Sequence, residues 1–562
     1  MASRLFKQFN FKRSLHAFHS ALLTLFLSIL LLCSGILPAF SSPKPEGCFS
    51  YQFIIDEDGC TLVRIVYSSN LESGSTWVLV PKFSNWLNYT LRGQIYDWSL
   101  EDSKNYTGVP YYFYKVLKFL FNSDNGFEIV IEYNFSVAAM IIEPDGIFYS
   151  PQIGFEDGNT FEASVIFPST FQVNLNEALA LGSRGPYGPD KSSNSTFILF
   201  RDLPPTENLL RIEIAFSVPN READLVLLEN GIFRFSTVKR YESYAWKILD
   251  LYNATYDLLV NLFNTSLEKI GSQEKGVTVK FFLPDFYSLM SIGGYVPFSG
   301  GKLGDIHINF IFTRYVEGYL EVIALHELIH HFLWRAGISP EGLLWFHEGL
   351  AQYVSIEIAE ELSYEGAEMI KQDAEETALN VRLLTGGDLG FLVQWTPDNA
   401  PRDMSTLYAA AYYVVSRLAE NRGGLSYYAR FFRLLGGRSV EDNALLCYYL
   451  SIAANESVID ELNAWGFRTP DLYAYSPLIN KVKSAIRKIG PLNPLLQPFR
   501  YLAELLYENA VSENSWIPVR QIQICLSAAL LTALLAPLLA LITYSALIFA
   551  ALIFALKLKK VF

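Results

Sequence analysis

Cysteine and histidine are scarce here, at five and seven among 562 residues. No two cysteines stand at zinc-ligand spacing, which excludes a thiolate metal site. Cys33 and Cys525 fall in apolar terminal runs, leaving Cys48, Cys60 and Cys447 in the body. A Cys48–Cys60 bridge would suit an oxidising compartment. Against it, Asp56-Glu57-Asp58-Gly59 predicts a hairpin in which Cys60 faces about position 55.

Positive charge is also in short supply, with 44 Lys and Arg against 57 Asp and Glu. Acids are missing altogether from 1–42 and 521–562, whose seven cations are Arg4, Lys7, Lys12, Arg13, Lys557, Lys559 and Lys560. The middle therefore carries 37 basic against 57 acidic residues. A nucleic-acid surface needs a basic footprint, so nucleic acid is excluded as a partner.

The acid-free ends read as membrane signals. Residues 1–42 have a basic start, an apolar run from Ala21 to Phe40 and small residues at Ala39, Ser41 and Ser42, which predicts a secretory signal peptide. An uncleaved signal anchor is the alternative. Ile524 to Leu556 holds no charge and exceeds the roughly 20 residues that cross a bilayer. Pro537 kinks it or divides a lead-in from a span at about 535–556. The lysines that follow should stay cytoplasmic, leaving about 43–520 outside. Asn88, Asn105, Asn134, Asn194, Asn253, Asn264 and Asn455 each begin an N-x-S/T triplet, as expected of a glycosylated exterior.

Between the ends the pattern changes once. From Cys48 to about Phe235, short alternating or β-branched runs such as Val63–Tyr67, Phe127–Tyr133 and Leu210–Phe216 predict an antiparallel β-sandwich at 43–235. From Tyr241 on, Tyr244, Ile248, Tyr252, Tyr256, Leu259 and Leu262 mark an amphipathic helix. Strands at Val277–Leu283 and Ile306–Ile311 flank a glycine-rich loop. Helices follow at about 316–337, 344–362, 404–436 and 440–465. Residues 236–440 form an expected α+β domain, and 441–520 a helical region whose Pro-punctuated part, 471–515, reads as a juxtamembrane spacer. Residues 521–562 make the transmembrane anchor and its basic tail.

The chemistry concentrates where the histidines do. Four of the seven, at 326, 330, 331 and 347, lie within 22 residues. His326-Glu327-Leu328-Ile329-His330 stacks two imidazoles on one helix face with a carboxylate beside the first. That is the arrangement that holds Zn2+ and positions a general base, Glu327. A third ligand is needed, and Glu348 can supply it from a second helix after the break at Gly337 and Pro340. His347 is the rival, but adjacent helical positions diverge by about 100° and cannot both point inward.

His326–His330 followed by Trp345-Phe346-His347-Glu348-Gly349-Leu350-Ala351-Gln352-Tyr353 resembles the gluzincin zinc peptidases, in particular the membrane-alanyl-aminopeptidase-like and glycyl-aminopeptidase-like branches. The resemblance covers about 240–466. It implies a thermolysin-like catalytic domain, one zinc held by His326, His330 and Glu348, and a peptide or protein substrate. It also implies a tyrosine that hydrogen-bonds the oxyanion, a place Tyr408 of Leu407-Tyr408-Ala409-Ala410-Ala411-Tyr412-Tyr413 fits best and Tyr412 next. Seventeen residues separate His330 from Glu348, one fewer than the aminopeptidase branch usually has. Where that branch carries a glutamate for the substrate's amine, this chain has Gly293-Gly294-Tyr295-Val296-Pro297. Ile306–Ile311 is the expected edge strand for an extended peptide, and Gln352 the expected support of a ligand. A catalytically inactive surface receptor or adhesin on the same fold is the alternative, disfavoured because all four metal and base residues are intact.

Overall fold

The computed structural model describes residues 47–558 apart from 83–85, 109–110, 112, 205–206, 220, 269–275, 284–291, 300–301, 315–316, 491–492 and 513–520. The leader expected at 1–42 lies outside the described residues.

Strict alternation builds the N-terminal part. Phe49, Tyr51, Phe53 and Ile55 of Gly47–Ile55 point inward, as do Val63, Ile65 and Tyr67 of Thr61–Ser69. These strands form the centre of a six-stranded sheet. Its apolar face shares one core with a second sheet through Ile212, Ile214 and Ala178, and with a three-stranded sheet through Val78, Val80 and Phe119. The expectation of a purely antiparallel sandwich is corrected here. Gly47–Ile55 pairs parallel with Thr160–Ile166, and three sheets, not two, enclose the core.

The hairpin at 56–60 turns as its residues predict. The Asp56 carboxylate accepts from the amides of Asp58 and Cys60, and Gly59 takes φ +87°. Ile55 then pairs with Thr61 and Cys48 with Ser68. Cys48 and Cys60 are both free.

A five-stranded sheet begins the second part, in the order Leu225–Asn230, Phe233–Val238, Val277–Phe282, Ile306–Asn309, Gly294–Tyr295. The first two strands both belong to this sheet, although Leu225–Asn230 precedes the expected boundary at 235 and Phe233–Val238 spans it. The three central strands run parallel, because helix α1 (Glu242–Phe263) crosses between the first two of them. Two expectations change. The strand from Ile306 ends at Asn309 and continues as a 3-10 turn. It is internal, since Gly294–Tyr295 from the glycine-rich segment pairs antiparallel along its outer side.

The helices follow as α2 (Tyr319–Arg335), α3 (Pro340–Glu361), α4 (Glu365–Thr385), α5 (Met404–Glu420), α6 (Leu425–Leu435) and α7 (Asn443–Ala454). Helix α4 was not expected, because it buries only Gly366, Ala367, Met369, Ala378 and Val381 and so shows little apolar periodicity. The spacer expected at 471–515 is instead α8 (Ser476–Lys488) and α9 (Gln497–Val511). Ile479, Val482, Ala503 and Ala510 join the main core. Helix α10 (Ile522–Leu558) ends the described chain and is long and apolar enough to cross a membrane.

Candidate metal centre

Helix α2 starts at Gly318, whose φ of +97° suits glycine and whose N–H donates to the Glu321 carboxylate at 2.9 Å. Leu325, Leu328, Ile329 and Phe332 are fully buried, and the Tyr252 hydroxyl of α1 donates to the Ala324 carbonyl at 2.7 Å. The helix is thereby fixed in rotation. His326 and His330 stand one turn apart with ring centroids 4.7 Å from each other.

Helix α3 has its own start. Ser339 caps it, Pro340 occupies the first turn, and Leu343 breaks the helical path at φ −136°, ψ 40°. Past the break, Trp345 is buried and donates its indole N–H to the Asn443 side chain at 2.8 Å. Truncating a side chain so placed costs about 3–5 kcal/mol. Trp345 thus sets the helix phase that turns Glu348 toward α2.

Glu348 Oε2 lies 3.1 Å from His326 Nε2 and 3.5 Å from His330 Nε2. Atoms bound at about 2.0–2.1 Å to one tetrahedral ion lie about 3.3 Å apart, so these spacings suit zinc. Neither nitrogen nor oxygen needs more than a small shift to share it. Glu327, beside His326, is buried, and its Oε2 has no hydrogen-bond partner among the described residues. An orphaned carboxylate oxygen next to the ligand set is where an attacking water would be held.

Charges follow the burial. Desolvation pushes the Glu327 carboxyl up to about 8, with His326 pulling the other way. A dication on its neighbours would draw it back toward neutrality, the range that suits a general base. Burial also raises Glu348, but His330, His326 and the Tyr408 hydroxyl outweigh it and hold Glu348 below the usual carboxylate range. Burial drives His330 well below its ordinary value, toward the neutral imidazole that a metal requires.

His347 also lies within reach of the site, one of its ring nitrogens standing within 4.8 Å of a His330 nitrogen and a Glu348 oxygen. Its ring stacks on that of His330, with centroids 4.7 Å apart and planes 11° off parallel, and the two Nδ1 atoms are 2.9 Å apart. For His330 Nε2 to offer a lone pair, its Nδ1 must carry the proton and donate to His347 Nδ1. His347 is then the Nε2–H tautomer. This partnership was missed from the sequence, where the only signal was an imidazole preceding the ligand glutamate. His331 points elsewhere, toward Asp305 and Arg335, with burial lowering it to about 4.

Helices α3 and α5 meet backbone to backbone. A Cβ on Gly349 would lie 2.6 Å from the Ala411 carbonyl oxygen. That approach sets the Tyr408 hydroxyl beside the Glu348 carboxylate, whose charged form it favours, its ring 6.3 Å from that of His326. Trp395 supports Tyr408 edge-on at 5.3 Å. Tyr412 faces away, against Tyr353 and the carboxylates of Glu375, Glu357 and Glu360. Gln352 adds to the polar surroundings of His326. Gly294 closes the other side, where a Cβ would meet Glu327 Cγ at 2.7 Å.

No protein-family model matches this sequence, and no curated protein does. Among solved structures the chain is similar to native leukotriene A4 hydrolase from Saccharomyces cerevisiae, with 12% identity and a TM-score of 0.32, over 90% of this chain and 86% of that one. It is similar in the same degree to the yeast hydrolase in complex with bestatin, with 12% identity and a TM-score of 0.32, over 88% of this chain and 85% of that one. A likeness this distant carries no chemistry across. The chemistry of this chain is drawn from its own side chains.

Proposed function

We propose that this chain is a membrane-anchored, outward-facing zinc metallopeptidase. The observation that carries the proposal is the convergence of His326 Nε2 and His330 Nε2 on Glu348 Oε2, at 3.1 and 3.5 Å, with Glu327 beside them, its Oε2 unpartnered among the described residues.

Zinc, when bound by His326, His330 and Glu348, supplies Lewis acidity and makes water a better acid. Glu327 takes the proton of the attacking water and passes it to the leaving amine. Tyr408 turns its hydroxyl from Glu348 to the carbonyl oxygen on which negative charge develops. His347 holds the His330 ring. Gly294–Tyr295, the last strand of its sheet, offers an edge to which an extended peptide adds as a further strand. Residues 293–297 hold no carboxylate for a free amine, which favours binding along the chain over capture of its end.

Three features support the placement. Helix α10 has the length and apolarity of a span, and Lys557, Lys559 and Lys560 follow its apolar run. All seven sequon asparagines are exposed, as glycosylation requires. In this reading 1–42 is a leader, the β-rich domain runs from 43 to about 224, the catalytic domain takes Leu225–Asn230 and Phe233–Val238 and continues to 440, 441–520 is the helical region, and 521–562 is the anchor.

The test is metal content and cleavage on the same preparation. Wild type should hold about one zinc per chain and cut peptides, with mass spectrometry separating internal from amino-terminal cleavage. Glu327→Gln should keep the zinc and lose about 10²–10⁴-fold in turnover. Wild type without zinc, or an unimpaired Glu327→Gln variant, overturns the proposal.

A further inference from the structure

Helix α10 is too long for one job. Its 37 residues span about 55 Å, whereas a hydrocarbon core is about 30 Å thick. Burial divides it. Ile522, Leu526, Ala529, Ala533, Ala536 and Ala540 form a mostly small-residue stripe buried against the protein, facing α8 and α9. From Leu541 to Lys557 no residue is buried. The second half, about 25 Å long, is clear of the protein, so a span of about 30 Å takes in the last turns of the stripe as well.

The helices beside the first half have a body end and a far end. At the body end, Ala510 and Val511 of α9 are buried, and Lys483 of α8 reaches the rings of Tyr448, Tyr449 and Tyr507. Helix α10 begins there, at the buried Ile522. The far end is the α8–α9 turn, where the Gln497 side chain donates to the Gly490 carbonyl. At this end the surface becomes apolar. Leu495 is 58% exposed, Tyr501 69%, Leu502 44% and Leu505 42%. Arg487 and Lys488, in the last turn of α8, are exposed next to them. On α10, Leu534, Leu538 and Leu541 are exposed as it leaves the stripe.

Exposed leucines and a tyrosine flanked by cations, on a helix whose opposite face packs into the body through Ala503, Leu506 and Ala510, have the composition of a membrane-interface contact. We propose that the last turn of α8, Leu495 and the first turns of α9 form a foot that rests in the outer headgroup layer around the span. Leu495, Tyr501, Leu502 and Leu505 enter the acyl boundary, and Arg487 and Lys488 meet anionic headgroups. The occupant of this face is lipid, because the face adjoins the point at which α10 passes from its protein seam into the free half. The inference rests on the anchoring reading and adds a second, peripheral contact to it.

Spin labels at single cysteines in a cysteine-free full-length chain test both readings. The chain is reconstituted in vesicles of phosphatidylcholine with about one third phosphatidylglycerol, and label depth is read from oxygen and nickel accessibility. Labels replace Leu502, Leu505, Ile548 on the free half of α10, and Leu384, an exposed position on α4. The expected result is a deep label at 548, labels at 502 and 505 about 5–10 Å into the boundary, and a label at 384 in water. Labels at 502 and 505 as wet as at 384, with 548 deep, overturn the foot and leave the anchor. A wet label at 548 overturns the anchor and the foot with it. Dipolar coupling between 502 labels that vanishes on dilution with unlabelled chain assigns this face to a second copy and also overturns the foot. A Leu502→Glu, Leu505→Glu double variant should bring a label at 495 into water while 548 stays deep, and unchanged depth at 495 counts against the foot.

Discussion

The Nδ1 atoms of His330 and His347 lie 2.9 Å apart in stacked rings, so the residue preceding Glu348 orients the ring of His330, the two being proposed ligands of one zinc. Removing such a partner costs about 10–100-fold in metal affinity. His347→Ala should weaken zinc binding by that factor in a chelator competition, while His347→Asn, which can still accept from His330, recovers most of it. Thermal unfolding of the metal-free variants separates ligand orientation from loss of packing. Equal zinc affinity in His347→Ala and wild type would falsify the assignment.

Gly294 touches the opposite side of the site. Any Cβ there meets Glu327 Cγ at 2.7 Å and Oε1 at 2.8 Å, closer than side chains pack. Gly294→Val should lower kcat by displacing the base and leave zinc content at the wild-type level. A variant with full activity would mean that the strand yields and that Glu327 is not confined.

Tyr408 is proposed to leave Glu348 for the oxyanion. Losing one such donor costs about 10²–10³-fold in kcat, so Tyr408→Phe should fall by that factor with KM little changed. Tyr412→Phe serves as the comparison, since Tyr412 faces Tyr353 and not the histidines. Equal losses in the two variants would remove Tyr408 from the chemistry.

Glu213 provides a pH test away from the site. It is 7% exposed, and burial pushes its carboxyl up to about 7, partly offset by Arg211. A folded value above the unfolded one means that the native state binds the extra proton. Stability is then greatest below about pH 4.5 for this group and falls as pH rises toward 7. Glu213→Gln should flatten that slope and raise stability at pH 8 by about 1–3 kcal/mol, read by denaturant unfolding from pH 4.5 to 8. A parallel slope in wild type and variant would show that the carboxyl ionises freely.

The parts of this fold written in local pattern were legible. Alternating or β-branched runs marked Val63–Tyr67, Phe127–Tyr133 and Leu210–Phe216, which lie in strands Thr61–Ser69, Phe127–Phe135 and Leu209–Ser217, and the spacing of His326 and His330 placed both rings on one helix face. What local pattern does not carry was read less well. The parallel pairing of Gly47–Ile55 with Thr160–Ile166 joins residues more than a hundred apart. Gly294–Tyr295 is two residues long, too short for a period to register, yet it displaces Ile306–Asn309 from the sheet edge. Helix α4 buries too little to show a stripe, and α8 and α9 were obscured by their prolines. In the candidate site, the contact between His330 and His347 depends on how two helices are phased. That phase is set by Leu343 and Trp345, and no spacing rule contains it.

The stripe from Ile522 to Ala540 has a consequence for where the proposed peptidase can work. A flexible tether would let the catalytic domain roam through a hemisphere above the lipid. A helix seated on α8 and α9 along about 27 Å of its length makes the span and the body one solid piece. With the span in a bilayer, the cleft is carried at one altitude and cuts like a blade on a gauge. Peptides tethered to lipid by linkers of graded length should be cleaved over a narrow band of lengths, and uniform cleavage at every length would show that the seam gives way.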